Sequence, residues 1–342
     1  CGFGRLLDGW LSDRGARPLF ARVDVDNGSA TALDDWRARL TELTGVATDT
    51  GAPAVSAVSS VSAVSAIAGL SNVAPPSVAT PASTPAPHRW RLINRRLLNP
   101  GSAGAPAWHL DLTPGDGAAL PTWQAGDLFR IVPPADPDRP RDYSIASLPA
   151  DGRVQLLVRL ARRADGSSGL VSGGLTDGLA IGDELHAHIQ PHPGFRLGDN
   201  AIRPLILIGN GTGIAGLRAL LKARAAAARS KSPPPTWLLF GERSAAHDAF
   251  YADDLRDWQR AGVLTRCDRT WSRDPGGPRY VQHRLIESLD EVRRWVDNGA
   301  ALYVCGSLEG MASGVDAALA DGLGRATLDD LIIAGRYRRD VY

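Results

Sequence analysis

PLILIGNGTGIAG, Pro204–Gly216, is the stretch on which the fold turns. An unbroken apolar run, Pro204–Ile208, stops at a glycine. Gly209-Asn-Gly-Thr-Gly-Ile-Ala-Gly216 then leads into a segment carrying Leu217, Leu220 and Leu221 at helical spacing. This reads as a strand buried on both faces, a tight turn and a helix. Glycines let a ligand approach the backbone closely, and the first-turn N–H groups and dipole of the helix favour an anion such as pyrophosphate. Many tight strand-to-helix turns share a G-x-G-x-x-G run. The strand before it and the helix after it are what point to a dinucleotide.

Outward from this turn, residues 199–342 alternate apolar strands (LILIG, WLLFG, LTRC, ALYVCG) with helical stretches. Such alternation predicts a doubly wound α/β domain, a parallel sheet with helices on both faces. Residues 89–198 differ. Short alternating runs (Trp90–Leu98, Trp108–Leu112, Asp127–Val132, Val154–Leu160, Glu184–Ile189) are separated by Gly, Pro and Asp turns, the pattern of an antiparallel barrel or sandwich. Residues 46–88 pass from Ala/Ser/Val alternation into PPSVATPASTPAP and read as a linker that cannot offset its ordering entropy by burial. Residues 1–45 carry a helical pattern at Leu6, Leu7, Trp10 and Leu11 ended by Gly15, an apolar strand around Pro18–Val25, and a second helix through Leu33, Trp36, Leu40 and Leu43 behind Asp34 and Asp35. That is too little to bury a core, so the segment reads as the tail of a larger domain.

Composition excludes several classes. Lys+Arg 38 against Asp+Glu 37 leaves a net charge of +1, which gives no electrostatic footprint for nucleic acid. The 3 cysteines, Cys1, Cys267 and Cys305, form no CxxC pair, so neither a disulfide scaffold nor a zinc ribbon is expected, and no metal site is assigned. The uncharged stretch Thr50–His88 is too rich in serine and proline to read as a spanning helix. The chain opens on Cys1 with no charged-then-apolar leader behind it, so a missing upstream segment is expected.

Six other features carry chemistry. The strand after the glycine turn ends Gly241-Glu-Arg-Ser244, a mixed signal. An acid there would hold the ribose of NAD, whereas Arg243 and Ser244 suit a 2′-phosphate. The next strand ends Trp271-Ser-Arg273, a second hydroxyl–guanidinium pair at the same sheet edge, and the two pairs favour NADP(H) over solvated arginines. Arg141-Asp-Tyr-Ser144 sets a guanidinium, an aromatic and a hydroxyl on one strand, able to meet a phosphate, a planar ring and a ring nitrogen; a plain strand with a half-buried tyrosine is the alternative. Gly166–Leu175, clustered glycines and hydroxyls before a helical turn, is either a second pyrophosphate cradle or a flexible loop. Cys305 ends the last core strand at the edge facing the ligand crevice, where a packing role is the bland reading. The chain closes Arg338-Arg-Asp-Val-Tyr342 with an aromatic end.

Together and in this order, these motifs resemble the ferredoxin–NADP⁺ reductase superfamily, and within it the diflavin reductases: the sulfite reductase flavoprotein and the NADPH–cytochrome P450 reductases. The resemblance covers residues 89–342 and implies an antiparallel β-barrel FAD domain followed by an α/β NADP domain. It also implies that Arg141, Tyr143 and Ser144 contact the flavin phosphate, ring face and N5 region, and that Gly169, Leu170, Val171 and Ser172 hold the FAD pyrophosphate. Gly211, Thr212 and Gly213 would hold the NADPH pyrophosphate, with Gly216 where relatives usually have proline. Arg243, Ser244, Ser272, Arg273, Tyr280 and Gln282 would face the 2′-phosphate and adenine, with Pro278 where relatives often carry lysine. Ser144, Cys305 and Asp340 would surround the reacting atoms, and Tyr342 would stack on the flavin and swing aside for nicotinamide. CGFGRLLDGWLSDRGARPLFARVDVD at the N-terminus resembles the end of an FMN-binding flavodoxin domain. FMN is therefore expected in the intact protein and not in this chain.

The implied activity is hydride transfer from NADPH to FAD, then single electrons to an FMN domain, upstream or in trans, and on to a haem or metal acceptor. The expected location is the cytoplasm, or the cytoplasmic face of a membrane. Only Pro133–Pro140 separates the strand before it from RDYS, so the helical insert of the larger diflavin enzymes is missing. A free-standing flavodoxin or ferredoxin reductase, and a degenerate FAD/NADP-binding assembly module, are the competing readings. A simple Rossmann dehydrogenase is disfavoured by a barrel placed ahead of the nucleotide domain.

Overall fold

A computed structural model describes residues 8–9, 11–12, 14–23, 30–44, 87–115, 117–228 and 233–342. The chain divides into two compact units, Cys1–Ala82 and Ser83–Tyr342.

In the first unit, helix α1 runs Ala30–Thr44, starting a turn ahead of the expected Asp34–Asp35 boundary. Residues 8–9 and 11–12 are helical, as the leucine spacing predicts, while Leu6, Leu7 and Trp10 lie outside the described residues. Pro18–Val23 forms no strand, unlike the expectation for Pro18–Val25, whose last two residues lie outside the described set. An extended segment becomes a strand only by joining a ladder, and none of the described strands pairs with it. Most of the expected linker, 46–86, also lies outside the described residues.

The second unit holds two sheets. Strands β1 (His88–Leu97), β2 (Ala107–Pro114), β3 (Leu128–Ile131), β4 (Arg141–Ser144), β5 (Val154–Arg159) and β6 (Glu184–Gln190) form an antiparallel sheet in the order β4-β3-β6-β1-β2-β5. The two ends approach each other just past β4, where Ala146 N donates to Gln155 O at 2.8 Å, so the sheet curls towards a barrel. Alternation does the filling: Trp90 and Leu92 point inward from β1 while Arg91 stays exposed. They pack with Leu110, Leu112, Phe129, Leu156 and Val158, and Trp90 meets Phe129 edge-on at 4.8 Å. Strands β3 and β4 form a hairpin in the register Ile131↔Arg141, so residues 132–140 are its whole connection.

The second sheet is parallel: β7 (Leu205–Asn210), β8 (Thr236–Glu242), β9 (Arg266–Trp271), β10 (Ala301–Gly306) and β11 (Tyr337–Val341), in the order β11-β10-β7-β8-β9. The order reverses between β7 and β10, which makes the C-terminal ends of these two strands the switch point where ligands bind in open α/β sheets. Both faces are covered. One packs on α2 (Ile214–Ala227) and α3 (Ala252–Arg260), and the other on α4 (Val281–Glu287), α5 (Leu289–Asp297), α6 (Ser313–Leu323) and α7 (Arg325–Ile333). The α2 side forms a core shared with the barrel, since Ala125, Ala146, Leu157 and Phe195 pack among Leu207, Ile214, Leu217 and Phe240.

Candidate functional site

At the switch point the turn Gly211–Gly213 links β7 to α2. A Cβ on Gly213 would run into the backbone carbonyl of Cys305, so only glycine lets β10 lie so close to this turn. Gly216 serves the same closeness one helical turn on. A Cβ there would stand 3.2 Å from Cys305 Sγ and 3.4 Å from Ser144 Cβ. The glycines thus bring a barrel strand and the parallel sheet together over the start of α2.

What meets there is a compact polar group. Ser144 Oγ donates to Asp340 Oδ2 at 2.7 Å, across 196 residues of sequence. Cys305 Sγ donates to the same oxygen at 3.7 Å, because β10 pairs with β11 in the register Cys305↔Asp340. Burial pushes the Cys305 thiol well up, and the Asp340 carboxylate adds to the shift, so the sulfur stays protonated and acts as a donor. Cys305 is fully buried and Ser144 nearly so. Tyr342, beyond the last residue of β11, is held by its backbone, with its N–H on Gly306 O at 3.1 Å and its carbonyl accepting Leu308 N–H at 2.9 Å. Its hydroxyl lies 2.8 Å from Thr212 Oγ1, while 58% of the residue stays exposed. The backbone is anchored and the hydroxyl engaged, with more than half of the residue exposed.

Two clefts flank this group. The larger, about 730 Å³, is lined by the glycine turn, Arg243, Ser272, Arg279, Tyr280 and Gln282. The second, about 400 Å³, is lined by Arg141, Tyr143, Ser144, Arg163 and the stretch Gly169–Ser172. Arg159, Thr212 and Tyr342 line both, so the two clefts adjoin across these three residues at the end of the chain. In the second cleft Tyr143 is half-buried and its hydroxyl is pushed up to about 12 by burial, so it presents a neutral ring. Arg141 is exposed and donates to the carbonyls of Arg139 at 2.9 Å and Pro140 at 3.1 Å. Gly169, Leu170, Val171 and Ser172 open the one-turn helix Leu170–Gly173 in the cleft wall, tied by Ala161 N to Ser172 Oγ at 3.2 Å. Each cleft thus offers what a dinucleotide needs, a helix start for phosphate and cations around it, and the second adds an aromatic face for a ring.

Most residues singled out from the sequence line one of the clefts. Gly213, Cys305 and Asp340 form the wall behind them, and the side chains of Ser244 and Arg273 are not in the lining. Arg273 N instead donates to Arg243 O at 2.8 Å, and Ser244 N to Asp248 Oδ2 at 3.2 Å. Sequence reasoning missed Arg159, which reaches from β5 to pair with the buried Glu242 of β8. Burial raises the Glu242 carboxyl, and the Arg159 guanidinium counters it. Arg279 was missed too; it lines the larger cleft and donates to Ser272 O at 3.1 Å. Asn210, whose Oδ1 accepts Ser307 N–H at 3.0 Å, fixes the turn after β10. An arginine at a strand end is the one signal that could have flagged Arg159.

Comparison with known proteins agrees with this geometry. Residues 207–317 match the oxidoreductase NAD-binding domain. The chain is 38% identical over 222 residues to the NADPH sulfite reductase flavoprotein alpha-component of Pectobacterium atrosepticum, an alignment covering 60% of this chain and 36% of that protein. It is 33% identical over 240 residues to the Mannheimia succiniciproducens protein of the same name, covering 66% and 39%. For an Escherichia coli counterpart the figures are 36% over 225 residues, 60% and 36%. The similarity is to the C-terminal half of diflavin reductases. The chain thus spans between 36% and 39% of the length of these relatives. No helix among the described residues is long and apolar enough to cross a membrane.

Proposed function

We propose that this chain is the NADPH-oxidising part of a flavoprotein reductase of the sulfite reductase flavoprotein kind. FAD would sit in the cleft of Tyr143 and NADPH in the cleft of the glycine turn. The single observation carrying the reading is the adjoining of the two clefts at Arg159, Thr212 and Tyr342, beside the Ser144–Asp340–Cys305 group. When bound, FAD accepts the hydride of NADPH and passes its electrons on singly. The protein's part is placement and electrostatics.

Arg141, Arg163 and the Gly169–Ser172 helix start would hold the FAD phosphates, Tyr143 would cover its ring, and Ser144 would meet the N5 edge. Gly211, Thr212 and Gly213 hold the NADPH pyrophosphate. Ser272, Arg279 and Arg243 face the 2′-phosphate, with Ser244 and Arg273 on the rim, and Tyr280 and Gln282 face the adenosine. Arg279, one position after Pro278, supplies a cation that the Pro278 position lacks. Tyr342 would cover the reacting face, and its ring, held at its hydroxyl by Thr212 above an anchored backbone, would have to give up that contact to swing aside for nicotinamide. Asp340 fixes the Ser144 hydroxyl and the Cys305 thiol, so no water is needed to satisfy them.

The electrons would leave to an FMN-bearing flavodoxin domain, whose end residues 1–45 resemble, with a haem or metal acceptor beyond and the cytoplasm as the setting. The short β3–β4 connection of residues 132–140 favours one further reading, a compact reductase serving a separate carrier. The test is NADPH–ferricyanide reduction by the purified FAD-loaded chain: activity with NADPH well above NADH is expected. An FAD-loaded chain inert to both would refute the reading.

A further inference from the structure

Glu242 stands where an acid holds the adenosine ribose in NAD-binding sheets, yet the proposed reaction leaves it without a part. It closes β8 and lines the larger cleft, with 4% of its side chain exposed. A Cβ on Gly211 would lie 3.6 Å from Glu242 Oε1, so the carboxylate rests against the glycine turn. On its other side come Arg243, the next residue, and Ser272, whose N–H donates to Glu242 O at 2.8 Å. With NADPH in this cleft, Glu242 falls between the turn that holds the pyrophosphate and the side chains that face the 2′-phosphate. That is the place of the ribose.

A bare carboxylate there would accept the hydroxyls of an NAD ribose and repel a 2′-phosphate. This one is covered. Its Oε1 accepts the Arg159 guanidinium, which arrives from β5 of the barrel, and its Oε2 accepts Arg243 N–H at 2.9 Å. Arg159 is itself held in place. Its Nη1 donates to Ala105 O at 3.4 Å, and its guanidinium lies 5.6 Å from the centre of the Phe250 ring.

The other charges around Glu242 do not do the same work. Asp248 is an anion, already engaged by Asn99 at 3.2 Å, Ser102 at 3.0 Å and Ser244 N–H at 3.2 Å. The Arg243 guanidinium packs against Gly104 in the connection between β1 and β2. Arg269 of β9 feels the charge of Glu242, but its Nε and Nη2 make no hydrogen bond.

We propose that Arg159 is a specificity-determining residue: by covering the Glu242 carboxylate it silences an acid that would select NADH, and so leaves the cleft to NADPH. The proposal rests on NADPH occupying the larger cleft. Because the pair crosses from barrel to sheet, the coenzyme choice of the nucleotide domain depends on a side chain of the FAD domain.

The test is the ratio of kcat/KM for NADPH over NADH in ferricyanide reduction by the FAD-loaded chain, at mildly alkaline pH so that an uncovered Glu242 is ionised. Arg159→Gln is expected to lower the ratio about tenfold or more. Adding Glu242→Gln to it should return the ratio to within about threefold of the unaltered chain, since no acid remains to be uncovered. Glu242→Gln alone should not lower it. If Arg159→Gln loses FAD, Arg159→Lys, which lacks the forked reach, should give a smaller fall that Glu242→Gln again reverses. A ratio unchanged without Arg159, a fall that persists in the double variant, or an equal fall in Glu242→Gln alone would overturn the proposal. An unaltered chain inert to both coenzymes would instead refute the placing of NADPH, so the two failures are separable.

Discussion

Where α2 crosses the barrel, Arg218 gives its guanidinium to Ala146 O at 2.6 Å, Gln155 Oε1 at 2.8 Å and Asp254 Oδ2 at 2.7 Å. It lies 4.6 Å over the Tyr251 ring. The Tyr251 hydroxyl meets His109 Nδ1 at 3.0 Å, and His109 Nε2 and Gln155 both reach Asp111. At the mouth of the clefts the same two layers meet through two separate polar contacts, Ser144 to Asp340 and Arg159 to Glu242, beside a partly exposed tyrosine. One seam is a closed, buried network that fixes how barrel and sheet sit together. The other is left sparse, so that cofactors can enter and a ring can move. Satisfied networks rigidify, and sites that must move are drawn from the less stable parts of a fold.

The largest effect expected from breaking this contrast is on stability. Arg218→Met removes a nearly buried paired charge and should cost about 3–5 kcal/mol. Urea unfolding of the FAD-loaded chain reads it, and flavin reduction by the molecules still folded should be little changed. Ser144→Ala should do the reverse, slowing flavin reduction by NADPH about a hundredfold with FAD retained. Rapid-mixing absorbance on the flavin measures it, and a loss of stability without a loss of rate would erase the contrast. Tyr342→Ala comes next: without the stacked ring, the preference for NADPH over NADH should fall about tenfold, read as the ratio of kcat/KM values.

The smallest effect sharpens the comparison by pH. Burial would raise the Asp111 carboxyl, but hydrogen bonds from His109, Asn94 and Gln155 outweigh it and hold the group well below the usual range. A depressed native pKa adds stability above the unfolded value of about 3.9, and that stability drains away as the pH falls below it. Asp111→Asn should therefore lower thermal stability at neutral pH and flatten its decline on the acid side, without changing flavin reduction.

The sequence made the strands and the glycine turn legible because burial imposes periodicity on consecutive residues. Leu205–Asn210 is continuously apolar up to its glycine, and β1 alternates, so both declare themselves locally. Ser144 and Cys305 were legible one by one at their strand ends, but their grouping with Asp340 was legible only through motif resemblance. Their meeting depends on the β10–β11 register and on the closeness that Gly213 and Gly216 permit. The pairing of Arg159 with Glu242, 83 residues apart, left no local trace, because a pair that forms only when two sheets dock has no period. Ser244 and Arg273 look equivalent to Ser272 in the sequence, yet only Ser272 lines the larger cleft. A position at a strand end does not fix which side chain faces inward.

Anaerobic rapid mixing of NADPH with the FAD-loaded chain tests the adjoining clefts most directly. Bleaching of the flavin absorbance that slows with NADPH deuterated at the transferring position is the predicted result. A chain that holds no FAD, or holds it and stays oxidised, would contradict it.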